Sequence, residues 1–225
     1  DEYRFHHDRI QEAAYSLIDE NKKSEMHYEI GNYLINHYSP NEIEKKILYI
    51  TNQLNAGIKL IKSKEEKIKL ARLNLRSGQK ARKTTAYGPA LNYLKMGIKL
   101  VGIEAWEENY DLALSLHNEA AESAYLFGEY DKMDALINEI IKYSREFLDK
   151  IKSYETRILS YSARSKFDEA IDTGMEFLKQ VGIKLPKNPS MMNIGVSFIL
   201  TKLSLLGKGI EYLSSMPEMK DPHKL

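Results

Sequence analysis

Three phrases, TAYGPAL starting at Thr85, GEYDKMD at Gly128 and SKFDEAI at Ser165, constrain most strongly what this chain can fold into. Aligned on their aromatic residues, Tyr87, Tyr130 and Phe167, they stand 43 and then 37 residues apart. Each separates two runs of apolar residues spaced by three and four. That is the pattern of one helix, a turn and a second helix. A unit of this kind cannot bury its apolar face by itself, so several must stack, each covering its neighbour.

Small residues fill the seams between the predicted helices. Gly78, Ala81, Tyr87, Ala90, Leu94 and Gly97 fall at the offsets of a tetratricopeptide-like unit. Ala121, Ala124, Gly128, Tyr130, Met133, Ile137 and Ile140 repeat those roles, and Ile158, Tyr161, Phe167, Ala170, Gly174 and Phe177 supply a third set. Regular units of this type run to about 34 residues, so these are divergent copies with longer helices. No stretch alternates with the period of a strand.

Upstream, Ile10, Ala13, Ala14, Leu17 and Ile18 predict a first helix, ended by the phrase NKK. Ser24 is the expected cap of a second, with its inward stripe along Met26, Ile30, Tyr33, Leu34 and His37. Ser39-Pro40 opens a third, carried by Ile43, Ile47, Ile50, Leu54 and Ile58. GIKLPKNPS, from Gly182, reads as a linker. An apolar helix is expected from Ser190 to Leu206, with Met191, Ile194, Phe198 and Leu205 packing back on the third unit, and a short helix around Ile210 to Leu213.

Composition removes several function classes. The 225 residues include no cysteine, which excludes thiol nucleophiles, disulfides and thiolate metal sites. That suits a reducing compartment, and the expected location is cytoplasmic. Lys and Arg total 33 against 32 Asp and Glu, a net charge of +1, so no general attraction draws the chain to nucleic acid or an anionic membrane. The most apolar segment, Met191 to Gly207, is interrupted by Asn193, Thr201 and Lys202 and falls short of the roughly 20 apolar residues of a membrane span. The first residues, Asp1-Glu2-Tyr3, have neither the basic nor the apolar region of a signal peptide, and both ends read as cuts in a longer polypeptide.

Candidate functional residues are few. His6-His7-Asp8 makes a poor metal site: adjacent helical residues diverge by about 100°, and the residues one turn on are Ile10 and Gln11. His27, His37 and His117 fall on or beside apolar stripes and read as packing residues. Glu65-Glu66 and Glu107-Glu108 sit where helices start and favour the macrodipole. Lys69, Arg72, Arg76, Lys80 and Lys83 follow one another in steps of three and four, along one helix face. That stripe is suited to phosphate, to an acidic partner, or to the acidic run Glu104, Glu107 and Glu108, and its ordinary role is a solvated face. No phosphate-loop motif occurs.

The blocks FHHDRIQEAAYSLI, ITNQLNAGIKLI, ARLNLRSGQKARKTTAYGPALNYLKMGIKLV, LHNEAAESAYLFGEYDKMDALI and MPEMKDP resemble, in order, successive blocks of one protein type. These are large bacterial hybrids in which a serine/threonine-kinase-like domain precedes a STAND-class (AAA-type) ATPase. A helical segment then leads to a GAF domain and a sensor histidine kinase. The resemblance implies that Phe5, His7, Ala14 and Tyr15 match the end of the ATPase arm, where His7 is the residue that reports nucleotide state in the intact protein.

Together these readings predict an all-α fold: a right-handed superhelix of antiparallel, tetratricopeptide-like helix pairs, with ten or eleven helices. Residues 1–62 are expected to hold the end of the ATPase arm and the first helices, 63–182 three helix pairs, and 183–225 the linker, an apolar interaction helix around Leu200 and Leu203, and the tail. The expected function is a non-catalytic scaffold, without a cofactor, coupling ATPase to kinase modules or docking a protein or small-molecule effector. Expected partners are the protein's own modules and a second copy, with neither nucleic acid nor membrane. A helical sensor domain of a STAND-type transcriptional regulator is the alternative.

Overall fold

The computed structural model describes residues 12–13, 15–205 and 212, and it is all-α, consistent with a helical-repeat fold. Ten α-helices have their bounds among the described residues. The chain divides into two compact units, residues 1–143 and 144–225.

The first unit holds α1 (Glu20–His37), α2 (Pro40–Ala56), α3 (Lys64–Lys83), α4 (Tyr87–Val101), the single turn α5 (Ala105–Glu108), α6 (Tyr110–Phe127) and α7 (Tyr130–Tyr143). Their starts are written in the sequence. Ser39 caps α2 and Ser63 caps α3, each in a reciprocal box with the Glu three residues on, Glu42 and Glu66, and Pro40 takes the first turn of α2. The α1 start differs from expectation. Asp19, not Ser24, caps it, accepting from the Asn21 N–H at 2.9 Å, and the NKK phrase lies inside the helix. An aspartate placed to accept from a free N–H outweighs a phrase of helix-compatible residues, and Lys23 bridges back to Glu20 at 2.6 Å.

The inward face of α1 is also corrected. Gly31 and Leu34 are buried, whereas Met26, Ile30 and Tyr33 are exposed and His37 stacks on Tyr33 with ring centroids 4.0 Å apart. Gly31 decides the matter: a Cβ there would lie 2.6 Å from Leu54 Cδ2, so only glycine lets α2 approach that face. Ala13 and Leu17 are exposed too, while Ile10 and Ala14 of the expected first stripe lie outside the described residues.

Helices α3, α4, α6 and α7 share one core. Ala71, Leu91, Leu94, Leu112, Leu116, Ala120, Ala121, Ala124, Met133 and Ile137 form one buried cluster. Gly78 admits Leu94 and Gly97 admits Leu116, each so close that a Cβ would stand 2.5 Å from the leucine. Polar groups between α2 and α3 are paired: Asn55 and Asn74 exchange two amide hydrogen bonds of 2.9 Å, and the Ser77 hydroxyl donates to Thr51 at 2.8 Å. Between α3 and α6, Arg82 donates to Glu119 at 3.0 Å and to Glu122 at 2.7 Å. Trp106 is buried beside His117 and Tyr143, with ring centroids at 4.8 Å and 5.5 Å.

The second unit holds α8 (Ile151–Ala163), α9 (Phe167–Gln180) and α10 (Met191–Ser204). The α8–α9 pair buries Ser153, Tyr154, Thr156, Ser160, Ala170 and Thr173, and Phe177 packs on Phe147 and Tyr154. The expected cap of α10 is present: Ser190 and Asn193 form a reciprocal box.

The three turn phrases share one backbone conformation. Thr85, Gly128 and Ser165 each have positive φ, 59°, 84° and 57°. In each, the next N–H reaches back to the preceding helix: Ala86 to the Ala81 carbonyl at 3.0 Å, Glu129 to Ala124 at 2.8 Å, Lys166 to Tyr161 at 2.9 Å. This is the same left-handed helix stop used three times, two residues before the aromatic that opens the next helix.

Candidate functional site

Helices α1 and α3 both pack on α2 and scarcely touch each other, leaving an open cavity of about 500 Å³ between them. Ile35, Ile43, Leu54, Ile61, Leu70 and Leu73 make its apolar lining. One end is closed by Tyr28 of α1, whose hydroxyl donates to Glu66 of α3 at 2.8 Å. Glu66 also accepts from the Ser63 hydroxyl at 2.8 Å, and these two bonds, the Ser63 one first, hold its carboxyl below the usual carboxylate range. The bond to Glu66 in turn pushes the Tyr28 hydroxyl up, helped by burial.

Three of the five cations singled out in the sequence, Lys69, Arg72 and Arg76, line this cavity; Lys80 and Lys83 do not. Their partners differ from the expected acidic run. Lys69 pairs with Glu65 of its own helix at 2.8 Å, which lowers the Glu65 carboxyl and raises the Lys69 ammonium. Arg76 reaches across to Glu44 of α2. Lys80 donates to the backbone carbonyls of Glu44 at 2.6 Å and Lys45 at 3.2 Å. Glu108 takes Lys64, which stands off the stripe. Arg72 and Lys83 are exposed and form no ion pair among the described residues.

Asn32 and Asn36 complete the cavity on the α1 side. Sequence reasoning missed them, and Tyr28 with them. Their signal was present: Tyr28, Asn32 and Asn36 recur in steps of four, one face of a helix. The wrong choice of inward stripe on α1 hid it.

A second candidate is α10. No residue of this helix is buried. Met191 is 84% exposed, Leu200 61% and Leu203 58%, so the expected packing of Met191, Ile194, Phe198 and Leu205 on the third unit does not occur. Leu206, Ile210 and Leu213 lie outside the described residues, as do His6 and His7.

Of the described histidines His117 and His27 pack between helices, whereas His37 is exposed and its Nδ1 lies 2.8 Å from the Tyr33 carbonyl of its own helix. His117 is buried, its Nδ1 2.7 Å from the Ala113 carbonyl and its Nε2 3.0 Å from Glu139. His27 lies between Gln53 and Tyr15, at 2.5 and 2.6 Å. Among the described residues no group of three or more His, Asp or Glu is placed to hold a metal ion. None of the described helices is long and apolar enough to cross a membrane.

Comparison with known proteins finds a distant relative. Hybrid signal transduction histidine kinase G of Dictyostelium discoideum is 29% identical over 234 aligned residues, covering 92% of this chain. The chain spans only 7% of that protein's length. No family model matches, and no solved structure matches.

Proposed function

We propose that this chain is a non-catalytic helical-repeat segment of a multidomain signalling protein, a scaffold that couples neighbouring modules and docks a ligand or protein in the groove between α1 and α3. The similarity to a hybrid signal transduction histidine kinase carries this reading, because it runs along 92% of this chain yet occupies a small part of that protein. Helices that share one buried cluster, as α3, α4, α6 and α7 do, support it physically: displacement at one end of a close-packed array is transmitted rather than absorbed.

Within this reading, residues 1–62 are the end of a STAND ATPase arm and the first helices, 63–182 the repeats, and 183–225 the link to a GAF and histidine-kinase module. His7 is the residue that senses nucleotide state in the intact protein. Leu200 and Leu203 belong to a surface for those modules or for a second copy. The cytoplasm is the proposed location.

The experiment is autophosphorylation of the full-length protein carrying Gly78→Leu, which wedges the α3–α4 seam. Kinase output that changes relative to parent, with the kinase module itself still folded, is the expected result. Unchanged output from a protein whose repeats are measurably loosened would overturn the coupling role. A salt-dependent mobility shift of DNA by the chain would instead favour the transcriptional-regulator alternative.

A further inference from the structure

We propose that the cavity between α1 and α3 binds a small amphiphilic anion, a molecule with a compact apolar body and one carboxylate, sulfate or phosphate head, and that Arg72 selects its charge. This deepens the docking reading of that groove and rests on it.

Size decides first. At about 500 Å³ the cavity falls in the range of about 300–1,000 Å³ that holds small molecules. A docked helix about 10–12 Å across would need a trough several turns long. The walls then specify the body. Ile35, Ile43, Leu54, Leu70 and Leu73 offer apolar surface with Asn32 and Asn36 on one flank, which suits an alkyl or aromatic core.

Charge specifies the head and its direction. Glu66 closes one end and is already committed to Ser63 and Tyr28. Arg72 lies about 9 Å further along α3, at 1.5 Å per residue. Its two cationic neighbours on the cavity wall are neutralised, Lys69 by Glu65 and Arg76 by Glu44. Arg72 is exposed and has no ion pair among the described residues, so the uncompensated positive charge of the cavity sits there. An anionic head is therefore attracted to the Arg72 end and repelled from the Glu66 end, which orients the ligand. A guanidinium offers paired donors to such a head.

The test is calorimetric titration of the 225-residue chain with decanoate below its micelle-forming concentration, with decanol and decyltrimethylammonium in parallel. One saturable decanoate site is expected, with decanol and the cation at least about tenfold weaker, the worth of one charge-assisted contact. Arg72→Gln, a substitution at an exposed helical position, is expected to lower decanoate affinity about tenfold and leave decanol unchanged. The double variant Leu200→Glu/Leu203→Glu is expected to bind decanoate as the parent does. Absence of saturable binding, equal affinity for decanol and decanoate, an indifferent Arg72→Gln, or binding lost only in the α10 double variant would each overturn the site. Decanoate binding that never alters kinase output in the full-length protein would strike the coupling reading and leave the site standing.

Discussion

Gly78 of α3 and Leu94 of α4 meet so closely that a single added methyl at Gly78 would stand 2.5 Å from Leu94 Cγ. Leu94 is fully buried, so it has no open direction in which to yield. The better helix propensity of alanine, worth up to about 1 kcal/mol, works against this clash. Overpacking costs about 1–3 kcal/mol, and Gly78→Ala is expected to be net destabilising. A lowered urea midpoint with an unchanged slope would show it, and Leu94→Val in the same chain should recover part of the loss. An alanine variant as stable as the parent would mean the seam is looser than its geometry.

The recurring left-handed turn predicts changes of the opposite sign. Thr85 and Ser165 pay for a conformation in which a Cβ crowds the following carbonyl, about 1–2 kcal/mol for an L-residue. Glycine relieves that crowding but frees the unfolded chain. Thr85→Gly should therefore stabilise by about 0.5–1 kcal/mol, the β-branched residue gaining more than Ser165→Gly. Gly128→Ala should destabilise. Thermal melts of the three variants read the order directly.

The Tyr28–Glu66 contact makes stability depend on pH at both extremes. The Glu66 carboxyl is held low in the folded chain, so its contribution is complete above the unfolded carboxylate range and is lost as pH falls through the folded value. The Tyr28 hydroxyl is raised, so its contribution is present below the ordinary phenol range and is lost as pH rises through the raised value. Tyr93 and Tyr154, both raised chiefly by burial, add to the alkaline loss. Melting temperatures across pH should show Glu66→Gln with a shallower acid limb and Tyr28→Phe with a shallower alkaline one. Superimposable curves would refute the linkage.

Helix α10 predicts an assembly. Its exposed apolar residues form a surface of the kind that marks interaction sites. Leu200→Glu with Leu203→Glu should leave far-ultraviolet helicity intact and abolish self-association in sedimentation. A parent chain that stays monomeric at high concentration would sink that expectation.

Much of this architecture could be read before any coordinates. The three turn phrases align residue for residue with the three left-handed stops, because a helix end needs one position of special conformation and small or polar residues crowd there. The caps at Ser39 and Ser190 were legible for the same local reason. The inward face of α1 was not, since Gly31 contributes nothing to an apolar pattern and matters only once Leu54, on another helix, is beside it. The cationic stripe was visible, but not its pairing with Glu44, thirty-two residues away in sequence. Contacts of that span depend on packing that periodicity does not encode.

The reciprocal amide pair of Asn55 and Asn74 acts as a password between neighbours in the stack. Each amide gives and receives, so a helix offering only a donor or only an acceptor at that position leaves a polar group stranded, at about 1–3 kcal/mol. A slide of α3 along α2 by one turn strands both. The order of units in this array is thereby made non-interchangeable, and a duplicated or transposed helix pair would be rejected at that junction even where its apolar face fits.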